Sequence, residues 1–407
     1  MSSLPNPPAS LGTRLLSIDA LRGLVMLFML LDHVRETFFL HRQVSDPMDV
    51  ATTEPGLFVS RTLAHLCAPV FVLLTGLSAY LFAQKHGHRA EASAFLFKRG
   101  LFLVVLELTL VNFAWTGQIP PTLIYLQVIW VIGLSMLALS ALLWLPRALL
   151  LGLSLLLIGG HNLLDGLHFA PGEALHVPWA ILHDRGWIEW GEALHVPWAI
   201  LHDRGWIEWG EGLRLRTSYP LLPWIGVIGL GYALGPWFAR EAGAAQRQQR
   251  LLRWGLTALA GFIVLRLLNG YGERPWVSGE TLGQTLMSFF NITKYPPSLL
   301  FIALTLGAGL LLLRALERRQ DSGLIRVLGV FGAAPMFFYL LHLYVLKGLY
   351  LLAVALLGRN QGAYFGFDSL GWLWLITLLL ALVLYPPVRG FARLKARRRD
   401  LAWLKYF

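Results

Sequence analysis

At 407 residues, 56% hydrophobic and 14% charged, the chain is richer in apolar and poorer in charged side chains than soluble domains, which carry about 45–50% and about 25%. That balance excludes an ordinary water-soluble enzyme and points to lipid as the main solvent. The net charge of +11 would suit nucleic acid, but the basic residues sit in short segments between apolar runs and in the tail from Arg389 to Lys405, and no nucleic-acid motif accompanies them. The single cysteine, Cys67, excludes an intrachain disulfide and a cysteine-cluster metal site; no metal is expected.

In chain order, apolar runs long enough to cross roughly 30 Å of hydrocarbon occupy residues 15–39, 57–83, 100–116, 123–145, 148–164, 219–238, 251–269, 295–313, 327–350 and 369–386. Asp19 and Arg22 interrupt the first run, which argues against a cleaved signal peptide and for a retained first helix over 14–39. The stretch 327–357 reads equally as one tilted helix with an apolar extension or as two short helices. Ten spans with an inner N-terminus place 21 lysines and arginines in inner segments and 8 in outer ones, whereas an eleventh span would put Arg393 to Arg399 outside. The positive-inside rule therefore predicts an all-α polytopic transmembrane helical bundle. It has one domain over 1–407, about ten spans, both ends cytoplasmic, an extracytoplasmic loop over 165–217 and a basic cytoplasmic tail over 387–407.

Within that loop, Gly172 to Trp190 recurs identically as Gly191 to Trp209. Two copies are too few for a solenoid, which needs about three. The paired histidines, His176 with His195 and His183 with His202, are read as part of an amphipathic, Trp-rich segment on the outer membrane surface rather than as a metal site.

Ionisable groups in hydrocarbon are expensive and mark function or the bundle interior. On the first helix Asp19 and Arg22 are three apart and can pair, either as a structural salt bridge or as part of a site. Arg22 and His33 are eleven apart, three turns plus about 20° and roughly 16 Å of rise, so one face through Met26 and Met29 could line a slot with a cation at one mouth and an imidazole deeper in. Imidazole titrates near neutral pH and is the commonest general base; beside Asp32 at a helix end it also fits an interfacial residue. The second helix carries Arg61 and His65 one turn apart, before Pro69 and Gly76, and reads as a kinked packing helix or as part of a site. Glu107, Asn112, Tyr339, His342 and Lys347 are further intramembrane candidates. Tyr-Pro opens two spans, at 219–220 and 295–296, where boundary chemistry accounts for both; Lys294, beside the second, is placed to contact an anionic substrate from the outer side. Glycines 226, 229, 231 and 235 read as close helix packing rather than as a phosphate loop.

The runs SIDALRGL and LLDHVRE, the segment HLCAPVFVLLTGLSAYL, the entries SYPLLPWIG and KYPPSLL, FGAAPMFFYLLHLY and the terminal RRRD resemble the bacterial branch of the heparan-α-glucosaminide N-acetyltransferase catalytic-domain family, from about residue 13 to 403. The resemblance implies transfer of an acetyl group from cytosolic acetyl-CoA, the donor substrate, to an amino sugar beyond a bacterial inner membrane. In that frame the catalytic candidates are His33, Asp32 and His65, which histidine acts being left open. Arg22, Asp19, Tyr339 and His342 are assigned to acyl-CoA, and Lys294, Asn112 and Arg61 to the extracytoplasmic saccharide acceptor. His33 would act as general base or as transient acyl carrier, oriented by Asp32 or Tyr339. The partners expected are the bilayer, acyl-CoA, the saccharide and a second copy of the chain in a homodimer. The rival reading is a transporter or flippase, whose mark would be inverted repeats with broken helices.

Overall fold

Charge at membrane depth decides how this bundle is assembled, because a helix carrying Asp19, Arg22, Asp32, Arg35 and Glu36 cannot face lipid on all sides. In the computed structural model, which describes residues 15–164, 206–209, 213–217, 219, 221–239, 242–398 and 400–407, that helix is α1, Leu16–Phe38. Around it pack α2 (Pro55–Ala64) and α3 (Cys67–His86), then α4 (Arg89–Leu106), which runs through a π-helical turn at Glu107–Val111 into α5 (Asn112–Thr116). Next come α6 (Val128–Leu142), α7 (Arg147–Gly160) and α8 (Leu221–Leu234). The bundle is completed by α9 (Ala244–Leu268), α10 (Leu282–Phe290), α11 (Leu299–Glu317), α12 (Gly323–Ala333), α13 (Pro335–Leu357) and α14 (Leu370–Arg397). The protein is an all-α polytopic membrane protein. Among the described residues six helices are long and apolar enough to cross a bilayer, including the 32-residue stretch Pro55–His86, and shorter apolar helices accompany them. One continuous apolar core runs from α1 to α14.

Three expectations shift. The span expected over 57–83 is broken after Ala64, because Pro69 has no N–H to offer the His65 carbonyl four residues earlier. The span expected over 123–145 opens as a strand, β1 (Leu123–Leu126), paired in parallel with β3 (Leu213–Thr217), which pairs antiparallel with β2 (Trp206–Trp209). The ambiguous stretch resolves into two helices: the crossing one is Pro335–Leu357, not 327–350, because Pro335 takes the first helical position and starts a new axis. The eleven residues of α12, roughly 16 Å of helix, are too few to cross. Of the duplicated loop only Trp206–Trp209 is described; His176, His183, His195 and His202 lie outside the described residues.

Contacts order the ends of the bundle. Lys395, near the end of α14, donates to the Ala333 carbonyl just before α13, and Gly332 lies against the Asp19 backbone near the start of α1. The beginnings of α1 and α13 and the end of α14 therefore share one end. At the other, the Phe367 N–H donates to the Phe38 carbonyl at the end of α1, 3.2 Å away.

Two glycine seams hold the frame. A methyl at Gly23 would overlap the Leu328 carbonyl and one at Gly332 the Asp19 carbonyl, so α1 and α12 touch backbone to backbone. Gly76 and Gly231 do the same between α3 and α8, while Gly226 and Gly229 face Ser154 of α7, as small residues at helix contacts permit. Gly231→Leu is expected to cost at least about 1–3 kcal/mol through overpacking, read as a lowered midpoint of thermal unfolding in detergent. Gly261→Leu, where nothing lies within 4 Å, should leave the midpoint in place; equal effects would show that the seam carries no special stability.

Candidate active site

One face of α1 borders a cavity of about 340 Å³. Arg22, Met26, Met29 and His33 all line it, the residues that recur every three to four positions and so share a helical stripe. Its opposite walls come from α3 (Cys67, Phe71, Thr75, Ser78), α6 (Ile129, Ile132, Met136) and the start of α13 (Pro335, Met336, Tyr339).

At the end shared by the starts of α1 and α13 the lining is cationic: Arg22, Arg99 and Lys395, beside Phe82 and Phe95. The phenyl rings stack 4.5 Å apart. Arg22 is held by the Asp19 carboxylate at 3.1 Å, the Leu74 carbonyl at 3.3 Å and the Ser78 hydroxyl, so Asp19 orients the arginine without itself lining the cavity. Arg99 and Lys395 read in the sequence only as inner-loop charge; a cation's topological role and its role in a wall look alike in a sequence.

Deeper in, His33 Nδ1 lies 2.7 Å from His342 Nε2, the rings stacked at 5.0 Å and 15°. His342 is fully buried, and its Nδ1 lies 2.8 Å from the Phe338 carbonyl. A carbonyl oxygen only accepts, so His342 Nδ1 carries the proton; with both rings neutral, His342 Nε2 accepts from His33 Nδ1–H. His33 Nε2 is left with its lone pair and, among the described residues, with no hydrogen-bond partner. Edge contacts from Trp115 at 5.2 Å and Tyr339 at 6.0 Å close round the imidazole. His342 thus supports His33 from behind and does not line the cavity.

Asp32 follows a different direction on α1, since consecutive residues are about 100° apart. Its two oxygens are taken by Arg35 Nε at 2.9 Å and Arg61 at 2.7 Å, and Arg35 also donates to Glu36 at 3.1 Å. Two carboxylates and two guanidinium groups neutralise each other at this end of α1. Arg61 belongs to that network rather than to the lining. His65 sits beside the wall, packed edge to face on Phe301 at 5.4 Å, and does not line the cavity. Asn112 also lies off it: its amide donates to the Leu123 carbonyl at 3.0 Å and accepts from the Tyr125 N–H at 3.1 Å, pinning β1. Glu107 accepts from the Trp130 N–H at 3.0 Å at the start of α6, and Lys347 donates to the Trp115 carbonyl at 3.1 Å.

The far end of the cavity is lined by Asp32, Glu36, Tyr219, Lys294 and Tyr295. Tyr219 and Tyr295, read in the sequence as boundary residues, meet here with hydroxyls 3.2 Å apart and rings at 88°. The two Tyr-Pro entries therefore converge on one site from separate spans, which no local pattern discloses.

Fold and cavity together define a membrane protein with a polar slot running between a cationic mouth and a tyrosine-lined end. The family model described as heparan-alpha-glucosaminide N-acetyltransferase, catalytic, matches residues 14–265, more than half of the chain. The chain belongs to that family, whose activity is that of a membrane acetyltransferase. No curated protein matches it. The match ends before α11 and α13, yet Lys294, Tyr295 and Tyr339 line the same cavity as Arg22 and His33.

Proposed function

We propose that this protein moves an acetyl or other acyl group from acyl-CoA, bound at the cationic mouth, to an amine or hydroxyl of a saccharide at the tyrosine-lined end. The observation that carries the reading is the single cavity joining Arg22 to His33 along one face of α1. Arg22, Arg99 and Lys395 supply charge for the CoA phosphates. Phe82 and Phe95 offer an aromatic face for the adenine. The stripe through Met26 and Met29 guides the pantetheine arm inward over roughly 16 Å. His33 Nε2 takes the proton from the acceptor N–H or O–H as that atom bonds to the thioester carbonyl carbon. The C–S bond then breaks, and the departing CoA sulfur takes up the proton, giving acylated acceptor and free thiol. His33 is assigned as base rather than acyl carrier, because the cationic end, His33 and the tyrosine-lined end belong to one cavity, so direct transfer needs no covalent intermediate on the protein.

The excess of lysine and arginine at the cationic end makes it the cytoplasmic one, with both chain ends on that side. Residues of α1 and α13 build the same site, which supports reading the chain as one unit; the membrane we assign it to is a bacterial inner membrane.

Cys67 makes a convenient test. It is the only cysteine, lines the cavity, and donates to the Val25 carbonyl at 3.0 Å. Acetyl-CoA is expected to slow its alkylation by a small maleimide in detergent-purified protein, and Arg22→Ala to raise the half-protecting concentration at least about tenfold, the scale of one lost charge-assisted contact. Absence of protection in folded wild-type protein would remove the acyl-CoA reading.

A further inference from the structure

Resting on the saccharide-acceptor reading, we infer that the acceptor carries an anionic group, a phosphate ester or a carboxylate, and that Lys294 is the residue that recognises it. Lys294 is 4% exposed and lines the far end of the cavity. Its ammonium lies over the rings of Tyr295 at 5.0 Å and Tyr219 at 5.8 Å, and among the described residues it has no hydrogen-bond acceptor and no carboxylate within 4 Å. Faces of aromatic rings attract a cation without offering a lone-pair acceptor, so the N–H donors not turned toward a ring stay available to a ligand. A buried ammonium without an anion in contact is costly: Asp32 attracts it through space, but the oxygens of Asp32 and an oxygen of Glu36 are engaged by Arg35 and Arg61. Asp46, the remaining carboxylate nearby, accepts the Lys294 backbone N–H at 3.2 Å.

The turn bearing Lys294 is fixed by partners from several parts of the chain. Glu273 accepts from the Thr293 N–H at 2.7 Å, the Thr293 hydroxyl at 2.5 Å and the Ser298 hydroxyl at 2.9 Å. Asn162 accepts from the Leu299 N–H at 3.0 Å. Asn291 exchanges two hydrogen bonds with the Met48 backbone. A side chain aimed into a cavity from so constrained a turn is pre-organised for recognition, since little ordering remains to be done on binding.

The test is transfer of labelled acetyl from acetyl-CoA to matched acceptors: glucosamine against glucosamine 6-phosphate, and glucose against glucuronate. The anionic member of a pair is expected to show at least about tenfold higher kcat/KM. In Lys294→Met that ratio should collapse to within about twofold while acetyl-CoA still protects Cys67, and Lys294→Arg, which keeps the charge, should retain part of it. Equal or better use of the neutral member by wild type overturns the inference. So does a Lys294→Met that slows both members alike, because the ammonium would then act on the reacting carbonyl oxygen or on the fold. Failure to acetylate any of the four, with acetyl-CoA bound, removes the saccharide-acceptor reading beneath it.

Discussion

His33→Ala is expected to lower acyl transfer by about 10²–10⁴-fold, the range a positioned general base contributes, while acetyl-CoA still protects Cys67 from alkylation. The expectation rests on which nitrogen carries the proton. Phe338 O holds the His342 proton on Nδ1, His342 Nε2 holds the His33 proton on Nδ1, and the basic lone pair of His33 is thereby left on Nε2. His342 acts through His33, so its variants should separate by what they offer at that contact. His342→Gln keeps an acceptor for His33 Nδ1–H and should retain more activity than His342→Leu, which removes it and allows the unproductive tautomer. The steeper loss should appear in kcat rather than in KM for acetyl-CoA, since the contact bears on the proton and not on donor binding. Full transfer activity in His33→Ala would end its assignment as base and turn attention to His65.

The second large effect concerns stability. Asp32→Ala leaves the buried guanidinium of Arg61 without its 2.7 Å carboxylate, and removing one member of a buried ion pair costs about 3–5 kcal/mol. The yield of folded protein in detergent and the midpoint of thermal unfolding should both drop. Adding Arg61→Met, which removes the stranded charge and fills its space, should restore a good part of each. Because Asp32 is next to His33 in sequence, loss of activity alone would misassign it as a catalytic partner. If Asp32→Ala folds with wild-type stability and only transfer falls, the carboxylate acts on the reaction and the network reading is wrong.

The slot along α1 was legible because helical geometry carries Arg22, Met26, Met29 and His33 onto one stripe whatever surrounds them. The helix breaks were less so. Pro69 announced a kink, but the interruption came at His65 and Leu66, where the orphaned carbonyl sits rather than where the proline is. Pro335 was visible as a helix starter only once α12 was seen docked on α1, since hydropathy runs unbroken through 327–357. The site's remaining residues needed the third dimension. Lys294 stood out as an ionisable residue, but that no carboxylate among the described residues comes within 4 Å of its ammonium cannot be read from a sequence in which Asp46 and Glu273 are equally plausible partners. Arg35 received no role from the sequence; only the fold shows it donating to Asp32 and Glu36. His342 was a candidate for donor binding, whereas its contact is with another histidine 309 positions away.

The bare strip at Gly23 also bears on how this enzyme can diversify. One side of α1 is moulded to α12 with no room for even a methyl group, so the helix that carries Arg22 and His33 has a fixed seat and tolerates little drift. Change in donor length or acceptor shape is therefore confined to the facing walls, at positions such as Ile132, Met136 and Met336. Variation among such proteins should accumulate there, opposite an α1 that keeps its place.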